Sequence, residues 1–155
     1  MEKTNVMRLL DQAKIVYSCH SYIETDAVSG LEVADVLGQN ADQVFKTLVT
    51  VGKSGQHYVF VVPVSRELDL KKAATAVKEK SIEMIKTKDL LALTGYIHGG
   101  CSPIGMKKAL TTVLDISAQS WDTILFSAGK IGYQVELSPK DLLKIIRCSW
   151  ADLIV

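Results

Sequence analysis

Residues 44–62, with the sequence VFKTLVTVGKSGQHYVFVV, form the stretch that decides the fold. Val44 to Val51 and Tyr58 to Val62 are rich in β-branched and other apolar residues, which favour strands. The segment Lys53-Ser54-Gly55-Gln56 lies between them and has the composition of a turn. The stretch therefore predicts two adjacent antiparallel strands joined as a hairpin.

Helices and further strands are predicted on both sides of this hairpin, from helical or alternating apolar spacing and from capping residues. The predicted helices cover residues 4–14, Ser29 to Gly38, Asp69 to about Lys80, Thr87 to Leu93, and Ser138 to about Arg147. The further predicted strands cover residues 15–22, 81–85, 110–116, 123–127 and 133–137. Because strands often follow strands directly, most of the sheet is expected to be antiparallel. The pattern predicts an α+β fold in one domain spanning residues 1–155.

Composition narrows the classes of function. The 155 residues are 48% hydrophobic and carry a net charge of +1, which argues against a protein that coats a polyanion. Between Arg66 and Lys88 there is a small positive excess, for which a solvated helix face is the simpler interpretation and a phosphate-facing patch the alternative. No signal peptide or membrane span is predicted, and three widely spaced cysteines indicate reduced thiols in the cytoplasm.

Lys46 is the first candidate for a functional residue. Strand alternation places it beside Val44 and Leu48, whereas Thr47 lies beside Phe45 and Val49 on the other face. A lysine in so apolar a strand is costly to bury without a partner. Two interpretations follow: a lysine that protects an edge strand, or an amine that holds an anionic or carbonyl oxygen of a ligand.

A glycine-rich loop is the second candidate. Its sequence is Gly99-Gly100-Cys101-Ser102-Pro103-Ile104-Gly105, and adjacent glycines let backbone N–H groups approach an oxyanion closely. A simple connecting loop is the alternative. The segment Ser127-Ala128-Gly129-Lys130 is a weaker candidate for a second polar wall, with a β-turn as the simpler interpretation.

Metal and nucleophile chemistry find little support in the sequence. His20, His57 and His98 lack the spacing of metal ligands, so neither a metal nor another cofactor is expected. No G-x-S-x-G segment indicates a serine nucleophile. Cys101 is a possible nucleophile only by its position in the glycine loop, since nothing in the sequence pairs it with a base.

Together these segments resemble the YbaK/prolyl-tRNA-editing-domain family. The similarity extends from about Lys3 to Leu153. It is carried by four segments in a fixed order: Val44-Phe45-Lys46-Thr47-Leu48, Leu68-Asp69-Leu70-Lys71-Lys72, Gly95-Tyr96 leading into the glycine loop, and Ser127-Ala128-Gly129-Lys130.

The resemblance implies a strongly curved or barrel-like mixed sheet with flanking helices, and a pocket for the 3′-terminal adenosine of an aminoacyl-tRNA. It gives catalytic roles to Lys46, Gly100 and Cys101. It gives substrate-binding roles to Tyr22, Ser29, Thr47, Gly99, Ser102, Pro103, Ser127, Gly129 and Gln134. Ser29 and Gln134 depart from relatives that carry an aromatic residue and an aspartate at these places, which leaves the amino-acid specificity open.

The activity implied is trans-editing of a mischarged tRNA, Cys-tRNA(Pro) and also Cys-tRNA(Cys), in which the thiol of the substrate attacks its own ester. The implied partners are the acceptor end of that tRNA and, transiently, prolyl-tRNA synthetase. Two alternatives stay open: a related deacylase for another substrate such as Ala-tRNA(Pro), and a non-catalytic module that binds tRNA or a synthetase.

Overall fold

The computed structural model describes residues 2–155, so Met1 of the predicted domain lies outside the described residues. The helices are α1 (Asn5–Gln12), α2 (Gly30–Val36), α3 (Leu70–Val77), α4 (Thr87–Thr94), α5 (Pro139–Ile145) and a 3-10 helix (Ile116–Ser120). The strands are β1 (Ser18–Ser21), β2 (Phe45–Gly52), β3 (His57–Pro63), β4 (Ile82–Met84), β5 (Thr111–Asp115), β6 (Ile124–Ser127), β7 (Tyr133–Leu137) and β8 (Cys148–Ala151).

The predicted hairpin is confirmed as the pair β2–β3. Its antiparallel register runs without interruption from Phe45 opposite Pro63 to Val51 opposite His57. The turn is closed by a hydrogen bond from the Gly55 N–H to the Gly52 carbonyl (2.9 Å), and Gly55 has a φ of +92°. Glycine adopts this left-handed conformation without steric cost, which explains its place in the turn.

The strands form two sheets. One has five strands in the order β4-β2-β3-β5-β8, and the other has three in the order β1-β7-β6. The pairs β3–β5 and β5–β8 are parallel, and the other four pairs are antiparallel. The prediction of a mixed, mostly antiparallel α+β fold is therefore confirmed.

The barrel-like closure, by contrast, does not occur within residues 2–155. The two sheets meet in a single isolated parallel bridge between Val44 and Leu125. β4 pairs with β2 only over Thr50 to Gly52, so the middle of β2 has a partner strand on one side only. A gap therefore separates the two sheets where a barrel would continue.

The second strand of the hairpin, β3, is almost entirely apolar because both of its faces are buried. Val59 and Val61 face the main core, which also receives Val6, Met7 and Leu10 from α1. The other face packs in a second cluster of buried side chains that includes Phe60, Val62, Ala73 and Ala74. A strand covered on both faces has a nearly continuous apolar sequence, as residues 58–62 have.

Several element boundaries differ from the prediction. Lys86, and not Thr87, occupies the cap position of α4 and has no side-chain capping bond. α3 ends at Val77 because Lys78 takes a left-handed conformation with φ +59°. β8 was not predicted: Cys148 to Ala151 pair in parallel with β5, and that partner is distant in the sequence.

Candidate active site

A cavity of about 370 Å³ occupies the gap between the two sheets. This volume lies in the range of small-molecule sites. Its walls come from Tyr22 and Val28, the start of α2, residues 44–49, the end of β4, the start of α4, the glycine loop, the end of β6 and the start of β7.

The backbone of β2 is paired differently on its two sides. The Val64 N–H bonds to the Val44 carbonyl (2.8 Å) and the Gly52 N–H to the Gln56 carbonyl (2.8 Å). Because hydrogen-bonded pairs alternate in an antiparallel ladder, the N–H and C=O of Thr47 point away from β3. On that side the described residues supply no strand partner for Thr47. The cavity therefore borders a short stretch of free strand edge.

Lys46 lies on the wall of this cavity, on the face of β2 that alternation predicted. Its side chain is 27% exposed, and its Nζ lies 3.8 Å from Oε1 of Glu67, whose side chain is 85% exposed. So loose an ion pair at the surface contributes little, which leaves the amine available to a ligand. The alternative of an edge-strand lysine stays open, because β2 lies between β4 and β3 in its sheet but has no partner strand beside Lys46 on the cavity side.

The glycine loop meets the cavity through a tight turn. The Gly100 N–H donates to the Ile97 carbonyl (3.0 Å), and Gly99 has a φ of +89°, as a type II turn requires at its third position. A Cβ on Gly99 would lie 2.7 Å from Cγ1 of Val28. Gly99 must therefore be glycine for both conformation and space.

This turn bears on the catalytic role of Gly100, which stays a prediction. Its N–H is already used in the turn, and Gly100 does not line the cavity. Cys101 does line it, and among residues 2–155 no backbone acceptor is found for the Cys101 N–H. The Cys101 N–H, unlike that of Gly100, is thus a donor on the cavity wall that no described acceptor uses.

The thiol of Cys101 is a poor nucleophile. Burial raises its pKa to about 12, so it stays protonated at neutral pH. Only the thiolate reacts readily, and activation requires a nearby positive charge or base that lowers the pKa. The side chain of Cys101 therefore serves as a wall of the cavity.

Three further predicted residues lie outside the cavity. Ser102 is fully buried and its Oγ accepts a hydrogen bond from the Ile104 N–H (3.3 Å), and Pro103 is buried beside it. A Cβ on Gly129 would touch the side chains of Tyr96 and Val6 at 3.0 Å, so this glycine faces the interior. The binding roles of Ser102, Pro103 and Gly129 stay predictions, and the contacts that Ser102 and Gly129 make here lie within the loops and the interior.

Eight of the twelve predicted site residues are brought together on the cavity wall. They are Tyr22, Ser29, Lys46, Thr47, Gly99, Cys101, Ser127 and Gln134. They come from segments more than one hundred residues apart in the sequence, so the fold gathers them into one place.

Two of these eight are committed to local hydrogen bonds. Ser29 Oγ accepts from the Glu32 N–H (3.2 Å), while a Glu32 carboxylate oxygen accepts from the Ser29 N–H (3.0 Å). This capping box, which the sequence predicted, begins α2 beside the cavity. Ser127 Oγ accepts from the Gly129 N–H (3.1 Å). The two hydroxyls therefore hold the backbone of the cavity wall in place without any ligand.

Thr47 carries an unsatisfied polar atom. Its Oγ1 is buried and makes no hydrogen bond, and the only comparable side-chain atom within residues 2–155 is Ser117 Oγ. Buried polar groups are nearly always paired, and one left unpaired beside a cavity is a candidate for contact with a ligand.

Sequence reasoning assigned Thr87 and His98, two polar residues of the wall, to no site, and His98 is the one of them that carries a titratable ring. It stands at the second position of the turn, is exposed and lines the cavity. A lone histidine carries no spacing signal, and only its place directly before Gly99 could have pointed to it.

No cluster of three or more metal-ligating side chains occurs in residues 2–155. Nor does the described part of the chain include a helix with the length and apolarity to cross a bilayer.

Known proteins share this sequence and architecture. Residues 25–145 match the aminoacyl-tRNA editing domain family. The chain is 46% identical over 153 residues, 98% of this chain and 93% of the relative, to EbsC of Enterococcus faecalis, to which Cys-tRNA(Pro)/Cys-tRNA(Cys) deacylase activity is attributed. A proline–tRNA ligase of Pelobacter propionicus is 27% identical over 68% of this chain and 18% of the ligase.

The fold is shared as well. A crystal structure described as a trans-editing enzyme for prolyl-tRNA synthetase superposes with a TM-score of 0.82 at 25% identity, over 99% of each chain. The resemblance first drawn from four short segments is thereby confirmed. The chain belongs to the aminoacyl-tRNA editing domain family.

Proposed function

We propose that this chain is a trans-editing deacylase that hydrolyses mischarged Cys-tRNA(Pro), and also Cys-tRNA(Cys). The observation that carries the proposal is the cavity beside the free edge of β2, whose wall includes Lys46 and the turn at Gly99. The activity attributed to the relative from E. faecalis names these substrates.

In this proposal the cavity receives the terminal adenosine with its aminoacyl ester. The amine of Lys46 holds an oxygen of the terminal nucleotide or of the ester, and the free backbone groups of Thr47 offer one donor and one acceptor. Such positioning can contribute several kcal/mol to catalysis. Lys86 and Lys88 are exposed on either side of Thr87, which lines the cavity, and supply positive charge where phosphates would approach.

The developing oxyanion is stabilised by the Cys101 N–H. One such donor is worth about 100- to 1,000-fold in other enzymes. Because the Gly100 N–H closes the turn, it holds the Cys101 N–H in place and does not itself contact the oxyanion.

The nucleophile we propose is the thiol of the substrate. Its sulfur bonds to the ester carbonyl carbon, the carbon–oxygen ester bond breaks, and the ribose oxygen takes up the proton released by the thiol. The product is a thiolactone that water then opens. Burial raises the pKa of Cys101 and so keeps the protein's own thiol at the site protonated, which supports this assignment.

His98 supports a second candidate, hydrolysis of Ala-tRNA(Pro) by water. An exposed imidazole on the cavity wall is within the class of groups that act as general bases. Alanine lacks a thiol, so its ester requires an external nucleophile. The two candidates therefore differ in whether the substrate side chain reacts.

A panel of mischarged tRNAs separates these functions. Purified protein is incubated with Cys-tRNA(Pro), Cys-tRNA(Cys) and Ala-tRNA(Pro), and free amino acid and trapped thiolactone are measured. We expect rapid loss of both cysteinyl esters with thiolactone formed. Preferential hydrolysis of Ala-tRNA(Pro) without thiolactone would establish the second candidate, and tight tRNA binding without hydrolysis would show a non-catalytic module.

Association with prolyl-tRNA synthetase belongs to the same proposal. The similarity to part of a proline–tRNA ligase places related sequences within that enzyme. We expect a transient contact in the cytoplasm, detectable as faster deacylation when the synthetase is added.

A further inference from the structure

Gln39 lies three residues after α2, where a glycine turns the chain so that the Gln39 side chain reaches Gln134. Gly38 has a φ of +65°, and the Gly38 N–H bonds to the Asp35 carbonyl (3.1 Å) while the Gln39 N–H bonds to the Ala34 carbonyl (2.8 Å). This is the Schellman arrangement that ends a helix at a left-handed glycine. The chain reverses at Gly38, and the Gln39 side chain reaches β7.

There Gln39 meets Gln134 in a reciprocal pair. Nε2 of Gln39 donates to Oε1 of Gln134 (2.7 Å), and Nε2 of Gln134 donates to Oε1 of Gln39 (3.0 Å). Gln134 is 2% exposed and lines the cavity, whereas Gln39 lies behind it and does not. An amide has two N–H donors and two acceptor lone pairs, so each partner keeps one of each for another contact.

We propose that Gln39 is a positioning residue for the editing reaction: it locks the Gln134 amide in the orientation that contacts the bound aminoacyl-adenosine. The inference rests on the proposed function. A free glutamine has several rotatable bonds and loses rotamer entropy when it binds. The pair removes this cost in advance, because two hydrogen bonds already hold the amide and leave one N–H and one lone pair for the ligand.

The arrangement predicts an effect on binding more than on the chemical step. Gln134 carries no charge and offers only neutral hydrogen bonds, so we expect it to contact the substrate equally before and during reaction. Loss of such uniform binding raises KM and leaves kcat unchanged. If Gln39 acts only through Gln134, removing both amides costs no more than removing one.

The experiment compares wild type with Gln39→Met, Gln134→Met and the double variant, since methionine keeps the length and lacks the hydrogen bonds. KM and kcat are measured with Cys-tRNA(Pro), and Tm in parallel. We expect KM to rise about three- to ten-fold in each single variant, as for the loss of one or two hydrogen bonds, with kcat within about two-fold. The double variant is expected to match Gln134→Met.

Gln43→Met is the matched control. Gln43 lies in the same segment, and its Nε2 bonds to the backbone carbonyl and the hydroxyl of Thr123 (2.9 and 3.2 Å), outside the cavity. This variant should lower Tm as much as Gln39→Met does and leave KM unchanged.

Three results would overturn the inference: an unchanged KM in Gln39→Met, multiplication of the two single effects in the double variant, or the same rise of KM in Gln43→Met. Failure of wild type to deacylate Cys-tRNA(Pro) would instead refute the proposed function, so the two failures are distinguishable.

Discussion

The two sides of β2 differ in how far they are paired. Toward β3 the ladder continues over seven residue pairs from Phe45 to Val51. On the other side, β4 pairs only with the last three residues and β6 makes only the bridge to Val44. The paired side gives rigidity, and the open side leaves backbone groups and the Lys46 amine at the border of a cavity. The candidate site therefore lies where β2 lacks a partner strand, and the complete β2–β3 ladder keeps this part of β2 rigid.

Lys46→Ala is the strongest test of the open side. We expect deacylation of Cys-tRNA(Pro) to fall by about 100-fold or more, because loss of one positioned charge disrupts both binding and alignment. Tm should change little, since the ion pair of Lys46 with Glu67 is loose and exposed. Initial rates and thermal unfolding measure the two effects.

Glu67→Ala serves as its control. Since the carboxylate is 85% exposed, this variant should keep activity within about two-fold of wild type. Activity of Lys46→Ala near the wild-type rate would refute the role of the amine.

Two turns that need glycine allow the paired and the open side of β2 to be compared directly. Gly55 closes the paired hairpin with φ +92°, and Gly99 forms the turn beside the open side with φ +89°. Alanine at either position should cost about 1–2 kcal/mol of stability, the cost of a left-handed residue with a Cβ. Gly99→Ala adds a contact at 2.7 Å with Val28, whereas a Cβ on Gly55 meets nothing within 4 Å.

We therefore expect about ten-fold or greater loss of activity in Gly99→Ala, because displacement of a catalytic loop by about 1 Å has large effects. Gly55→Ala should retain normal kcat and KM. Urea unfolding and deacylation rates would be measured on both. Equal activity of the two variants would mean that the turn at Gly99 does not shape the site.

Cys101→Ala tests whether the protein thiol takes part. We expect activity within about three-fold of wild type and no inactivation of wild type by iodoacetamide at pH 7, because the thiol is protonated there. A folded but inactive variant would restore Cys101 as a nucleophile.

Cys101→Ala should also change how the free energy of unfolding depends on pH. Burial raises the pKa of the Cys101 thiol from its ordinary value of 9.0 to about 12. A raised pKa in the folded state gives stability that is complete below pH 9 and is lost as the pH rises toward 12. Cys101→Ala should therefore lose less stability than wild type over this interval in urea titrations.

The smallest expected changes in stability and KM concern the two buried hydroxyls without a hydrogen bond, Thr47 Oγ1 and Ser117 Oγ. Thr47→Val should stabilise the fold by about 1 kcal/mol, since an unsatisfied buried hydroxyl carries a desolvation cost. It should also raise KM, because Thr47 lines the cavity.

Ser117→Ala should bring a similar gain in stability without a change in KM, because Ser117 lies away from the cavity. If Thr47→Val leaves KM unchanged, the binding role predicted for Thr47 is wrong.

Local patterns predicted most elements. The capping box of Ser29 and Glu32 and the turn at Gly55 depend on neighbours a few residues apart, and both were predicted from the sequence. Motif order placed Lys46 and Gly99 in one site. It also placed Ser102 and Gly129 there, because a motif does not reveal which side of a loop a residue faces.

The sequence by itself determined the apolar character of β2, the starts of α2, α3 and α5, and the membership of the editing family. Only the tertiary structure decided that β2 has no partner strand on the cavity side of Thr47, that β8 pairs with β5 in parallel, and that Gln39 bonds to Gln134. The physical reason is the separation in sequence of the residues that interact. Periodicity and capping act within a few residues, whereas a contact between amides 95 residues apart depends on how every intervening element packs.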